Sequence, residues 1–314
     1  YLFISSMLFA ATSCGNSWLD LEPSTSVDTE TSIKILSDVE FTLNGIYSTM
    51  QSSDAYSGRL VYYGDVTGDD MQAVSSTKRV ANYYRFNFTK DDNPSSHWSY
   101  LYSIIQNCNL ILMNIDKLVI DEDDKAYRDD LKGEALAIRG LALFDLTRIF
   151  GYPYLKDDGA SLGVPIIEGL STIDSKPTRN TVAQCYTKII DDLTQSLSLL
   201  GEKFNKGKIN KWGAMVLLSR VYLYKGENAN ALKMASDAII GAEKNKYALW
   251  TNEDYPTAWG EDASASKPGE VLFEIVNLTT DSPGKESMGY LKSYDGYDDM
   301  CITCSFYQFL KEDP

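Results

Sequence analysis

The sequence predicts a mainly α-helical protein, and three observations carry that prediction. Apolar residues recur at helical spacing over the middle of the chain, a capping signal stands where one of those stripes begins, and glycine- and proline-rich stretches interrupt them. Aromatic-rich, irregular stretches lie around this helical frame, and short strands are expected within them. With 314 residues and 44% hydrophobic content, the chain is long enough to bury a large core.

Taken in order, the first helix is expected over about 31–52. Residues 56–96 change character: 60–63 and 83–88 cluster or alternate β-formers between glycine and aspartate turns, which reads as short strands or loops. From Trp98 the period becomes 3.6. The stripe Trp98, Leu101, Ile105, Cys108, Leu112, Ile115 gives a helix over about 97–118, and Leu131, Ala135, Ile138, Ala142, Leu146, Ile149 gives another over about 124–150. Gly151 and Pro153 end it, and four glycines with three prolines make 151–179 a long loop. Thr181 with Gln184 three residues on is a capping box, and it opens the stripe Val182, Cys185, Ile189, Leu193, Leu197.

Two further helices, about 208–225 and 228–244, carry the clearest internal pattern. Leu218, Tyr222, Gly226, Ala231 and Ala238 match the separations of a tetratricopeptide hairpin, in which small residues let two antiparallel helices approach and glycine closes the turn. Beyond about 246 the helical period fades into an aromatic loop region, with 270–277 reading as one strand.

Composition excludes several functions. Lys+Arg total 29 against Asp+Glu 44, so the net charge of −15 opposes binding to nucleic acid or to an anionic leaflet. A single histidine, His97, rules out a metal site of several imidazoles and leaves one candidate for any triad. No cofactor or metal is expected, since no glycine-rich phosphate loop, nucleophile elbow or EF-hand spacing is present. Asp69 and Asp70 are adjacent and would point to opposite faces of an extended segment, so they make a poor glycosidase pair. Cys108 and Cys185 fall on apolar stripes and read as buried thiols; Cys301 and Cys304 form a lone Cys-x-x-Cys, a local disulfide or two free thiols. Trp98 and Trp212 read as core, Arg139, Arg148 and Arg220 as helix residues in structural ion pairs, and His97 as a helix-start residue.

The first thirteen residues are a short apolar run ending in small residues before Cys14, the pattern of a lipoprotein signal. Cleavage there and acylation of the Cys14 thiol would leave 14–30 as a lipidated tether. The run is too short to span a bilayer, which takes ~20 residues.

Several ordered motifs together resemble the SusD/RagB family of outer-membrane lipoproteins of Bacteroidetes. They are Cys14 followed by Trp18-Leu-Asp-Leu-Glu-Pro23; Trp98 through Asn109 leading to Asn114-Ile-Asp116; Gly133 through Arg139 and Phe144 through Arg148 to Gly151-Tyr-Pro153; Arg179-Asn-Thr-Val182 with Tyr186; Asn210-Lys-Trp-Gly-Ala214 with Arg220 through Tyr224; and Glu270-Val-Leu-Phe-Glu274. The resemblance implies a scaffold of tetratricopeptide-like helical hairpins, about 31–55, 97–150 and 181–245, within a domain over 31–314. It also implies an irregular, ligand-facing subdomain from segments of about 56–96, 151–180 and 246–314. It further implies a non-enzymatic protein on the cell surface that binds glycans or other nutrients and partners a TonB-dependent, SusC-like β-barrel transporter. Members usually continue beyond the aromatic region, so C-terminal truncation is expected.

Sugar rings need exposed flat aromatics with hydrogen-bonding side chains nearby. Trp250, Tyr255, Trp259, Tyr294 and Tyr297 are the candidates, because they sit in loops with Asp254, Asp295 and Asp298 close in sequence. Tyr62, Tyr63, Asp69, Asp70, Tyr83 and Tyr84 form a second pool. The competing reading is a lipid-anchored tetratricopeptide-like scaffold that binds protein and no glycan.

Overall fold

The computed structural model describes residues 32–89, 95–172, 174–258, 269–278, 280 and 282–312. The signal run, Cys14, the tether and Trp259 therefore lie outside the described residues. Six helices make the scaffold: α1 (Leu36–Met50), α4 (Ser95–Asn114), α5 (Lys125–Phe150), α6 (Val182–Leu199), α7 (Lys211–Lys225) and α8 (Asn228–Lys244). Each packs mainly on the next in the series, so the array grows by antiparallel hairpins, and the mainly α class with its hairpin scaffold is borne out.

The stripes explain the packing. Leu101, Ile105 and Cys108 of α4, Leu131, Ala135, Ile138 and Leu146 of α5, and Val182, Cys185, Ile189 and Leu193 of α6 are all buried in one core. Helix α5 is central and covered on all sides: residues 133–147 are buried without a break. The expected capping box is present, Gln184 N–H donating to Thr181 Oγ1 at 3.2 Å and Thr181 N–H to Gln184 Oε1 at 2.9 Å.

The α7/α8 hairpin matches its pattern. Gly226 closes α7 in the left-handed conformation, φ +83°, and Ala231 and Ala238 are buried at the close approach. Trp212 lies so tightly on Gly241 that a Cβ there would fall 2.1 Å from its ring, so Trp212 is core, as read. Trp98 is half-buried against the main core, and Cys108 and Cys185 are buried free thiols.

A buried polar junction ties four parts of the chain. Arg139 pairs with Asp192 in two parallel bonds of 2.8 and 2.7 Å and donates to Asn109 Oδ1 at 2.8 Å. The Asn109 amide donates in turn to the carbonyls of Ile167 and Gly169, at 2.8 and 3.0 Å, inside the long loop between α5 and α6. Lys188 bridges Asp192 to Glu168. Arg148 pairs with Asp145, which also accepts from Tyr56; Arg220 lies over the ring of Phe144 and has no ion pair among the described residues.

The irregular residues build a smaller unit. Helix α2 (Arg59–Thr67), strand β1 (Met71–Ala73), helix α3 (Ala81–Tyr84), helix α10 (Met288–Lys292) and strand β2 (Met300–Ile302) enclose a second core of Tyr62, Val66, Met71, Val80, Leu291 and Met300. β1 and β2 pair antiparallel in the register Met71↔Ile302, Gln72↔Cys301, Ala73↔Met300. Helices α9 (Tyr255–Ala258) and α11 (Cys304–Glu312), with short 3-10 turns at Ile115–Lys117, Glu122–Asp124, Tyr154–Lys156 and Gly284–Glu286, complete the described elements.

Two of the strand readings are corrected and one is narrowed. Residues 60–63 are helical, because Tyr62 and Val66, four apart, both face the second core. In 83–88 the first two residues end α3 and the rest is loop. Residues 270–277 form no strand among the described residues, with bends at 270, 272 and 273. The strands that form, β1 and β2, fall where no alternation marked them.

Candidate functional site

The structure separates the predicted aromatics into two places. Trp250 and Tyr255 form one pair, ring centroids 6.1 Å apart and edge-on. Trp250 is half-buried; its indole lies on Gly269, where a Cβ would meet Nε1 at 2.1 Å, and its backbone N–H donates to Glu270 Oε2 at 3.1 Å. This ring packs on the start of the segment over 270–277. Tyr255 is half exposed.

Tyr294 and Tyr297 belong to the small unit. Tyr294, on the turn after α10, is 86% exposed. Tyr297 is held from two sides: edge-on by Tyr290 at 5.1 Å, and by the Arg79 guanidinium 4.0 Å over its ring centre. Arg79 is itself fixed by Asp299 at 2.8 Å and Glu286 at 3.0 Å. Lys78 donates to the Tyr297 carbonyl, and Lys292 pairs with Asp65.

Part of the second pool gathers on the same unit. Tyr63 of α2 meets Tyr83 of α3 at 5.4 Å, Phe88 at 6.4 Å and His97 of α4 at 5.8 Å; Phe88 also meets Tyr83 and Phe86. The outer members, Phe86 and Phe88, are exposed, and so is Tyr84 at the end of α3. Phe86 has φ +54°, a left-handed conformation that a bulky side chain adopts only at a cost of order 1 kcal/mol, so the surrounding contacts hold it there. Tyr62 leaves the pool: it is core, and burial raises its hydroxyl pKa to about 12. Asp69 and Asp70 have exposed residues, and their backbone carbonyls accept the Thr303 hydroxyl and N–H.

His97 is the third residue of α4, as expected near a helix start, but it is buried. Its Nδ1 lies 3.0 Å from the Asp54 carbonyl, Nε2 has no partner among the described residues, and burial lowers its pKa. Its ring serves as one wall of the aromatic cluster. Phe86 and Phe88 were missed as site residues, because 83–88 read as strand-forming alternation; the usable signal was four aromatics in six positions bounded by polar residues. Among the described residues no cluster of three or more His, Cys, Asp or Glu could hold a metal, and Cys301 and Cys304 are exposed free thiols.

What the geometry defines is a class: a helical-hairpin scaffold bearing a compact unit that presents aromatic rings to solvent. Residues 17–223 match the SusD-like family described as starch-binding and associating with the outer membrane, and the chain belongs to that family. A protein from Bacteroides vulgatus ATCC 8482 is 82% identical with a TM-score of 0.88, over 90% of this chain and 64% of that one. A SusD-like carbohydrate-binding protein of the same strain is 25% identical with a TM-score of 0.61, over 71% of this chain and 48% of that one. SusD-like protein P2 of Formosa agariphila is 27% identical over 303 residues, 93% of this chain; the chain spans 56% of that relative's length.

Proposed function

We propose that this protein is a surface-exposed lipoprotein that binds glycans or other nutrients and delivers them to a TonB-dependent, SusC-like outer-membrane transporter, without chemistry of its own. The observation that carries the reading is the match of residues 17–223 to a family described as starch-binding and associating with the outer membrane. The aromatic face supports it physically. Flat rings supply contact area to the C–H faces of a sugar at small entropic loss, and Phe86, Phe88, Tyr84 and Tyr294 are exposed around fixed neighbours. Lipidation at Cys14 supplies the anchor, and Trp250, Tyr255, Trp259, Tyr294 and Tyr297 remain candidate contacts beside Phe86 and Phe88.

The test is a glycan array followed by calorimetry on any hit and chromatography for cleavage products. An oligosaccharide bound intact, and lost in Phe86→Ala/Phe88→Ala or in Tyr294→Ala, supports the reading and selects the face. Turnover of the bound sugar would replace it with a hydrolase, and protein binding with no glycan bound would favour the scaffold reading.

A further inference from the structure

The first and last helices of the scaffold differ in their outer faces. A stacked array buries each hairpin against the next, and it stays soluble only where the last outer face is polar. Helix α1 meets that condition: its exposed side is Ser37, Phe41, Asn44, Gly45 and Ser48, and only Phe41 among them is a large apolar residue. Helix α8 does not. Its inner side is taken up by α7: Ala231, Ala238 and Ala242 are buried, Ser219 of α7 donates to the Ala231 carbonyl at 2.8 Å, and Trp212 lies against Gly241. On its outer side Leu232, Ile239 and Ile240 are 70%, 58% and 52% exposed.

These three stand at i, i+7 and i+8, so they run along one side of the helix over two turns, the spacing of a stripe that a helix turns to a core. Ala235 and Ser236, both small and half-buried, lie between them and leave room for side chains of a second helix to enter. The charges nearby do not break the stripe, since Lys233 and Asp237 pair with each other at 2.5 Å. The array itself says what shape fits. Each apolar helix stripe is met mainly by the next scaffold helix, α1 by α4, α4 by α5, α5 by α6, α6 by α7 and α7 by α8. No further helix lies along α8 among the described residues.

We propose that α8 is an interior helix of a longer array, and that its outer face at Leu232, Ile239 and Ile240 takes one further amphipathic helix. The occupant belongs to the part of the chain that the 82%-identical Bacteroides vulgatus relative has and this sequence does not span, since the match covers 64% of that relative. Its own apolar stripe covers the three side chains and leaves a polar face outward. This inference rests on packing alone and stands apart from the glycan reading.

The experiment compares the 314-residue chain with the same chain joined to the part of that relative it does not span. In each, a water-soluble paramagnetic agent reports by NMR how accessible the methyl groups of Leu232, Ile239 and Ile240 are, and thermal unfolding reports the effect of Leu232→Ala/Ile239→Ala. In the 314-residue chain the methyl groups should relax fast, and the double substitution should leave Tm within about 2 °C, because it removes no packing. In the joined chain the relaxation should slow by about fivefold or more, and the substitution should lower Tm by about 5 °C or more, because it then opens a cavity. Methyl groups that stay accessible in the joined chain would overturn the proposal, as would a Tm loss of equal size in both chains. Overhauser contacts from these methyl groups to a non-helical segment of the added part would overturn it as well. So would a dimer of the 314-residue chain in sedimentation that the double substitution dissociates, by giving the face to a second copy.

Discussion

The helical scaffold and the small aromatic unit are held together by different physics. In the scaffold, helices of 15 to 26 residues bury continuous stripes, and the charged and polar groups of the buried junction pair with one another, as at Arg139, Asp192 and Asn109. In the small unit no element exceeds nine residues and the core is six side chains, so its halves, more than 200 residues apart in sequence, are joined by two three-residue strands and by pairs such as Arg79 with Asp299 and Glu286. A large core fixes geometry by area. A small one fixes it by a few directional contacts, which leaves rings such as Phe86 and Tyr294 free to face outward.

Arg139→Ala should break the scaffold side of this contrast most severely. It strands the buried Asp192 carboxylate, and a loss of about 3–5 kcal/mol is expected in urea unfolding. Glu134 sharpens the point. It is buried, and burial raises its pKa from 4.5 to about 7, while Tyr47 donates to it at 2.6 Å. The folded state therefore holds this proton over a range where the unfolded chain has released it. The stability this group contributes is full below about pH 4.5 and is lost as pH rises to about 7, an effect of roughly 3 kcal/mol. Glu134→Gln should flatten this part of the stability–pH curve.

On the small unit, Arg79→Ala should cost only about 1 kcal/mol, since the pairs are partly exposed. It should nevertheless free Tyr297, seen as loss of the cation–ring contact in NMR shifts of that ring. The smallest effect expected is that of Phe86→Gly. Glycine accepts the left-handed conformation, so stability should hold or rise by about 0.5 kcal/mol while glycan affinity falls. A loss of stability there would place Phe86 in the core of the unit and end its case as a binding residue.

The scaffold was legible because its signals are local. Leu131, Ala135 and Ile138 repeat at 3.6 within one helix, Thr181 and Gln184 cap the next, and Gly226 closes the hairpin, so each can be read without knowing what it packs against. The small unit was not legible, because its core pairs Tyr62 with Leu291 and Met300, and no short window contains both. Residues 60–63 could then pass for a strand and 83–88 for alternation. The candidate residues were legible only singly, for the same reason. Tyr294 and Tyr63 could be named as aromatics in irregular sequence, but their assembly into one unit, and the separation of Trp250 from it, depends on tertiary contacts.

Asn109 has a consequence for how the molecule opens. Its amide serves two carbonyls of the long loop while its oxygen serves Arg139, which is committed to Asp192. None of these bonds is worth much until α4, α5, α6 and the loop are all in place, and losing any one strands the others. The stretch 163–180 should therefore resist protease as long as the helices do, and be released in the same step, although its sequence of glycines, prolines and polar residues reads as a hinge.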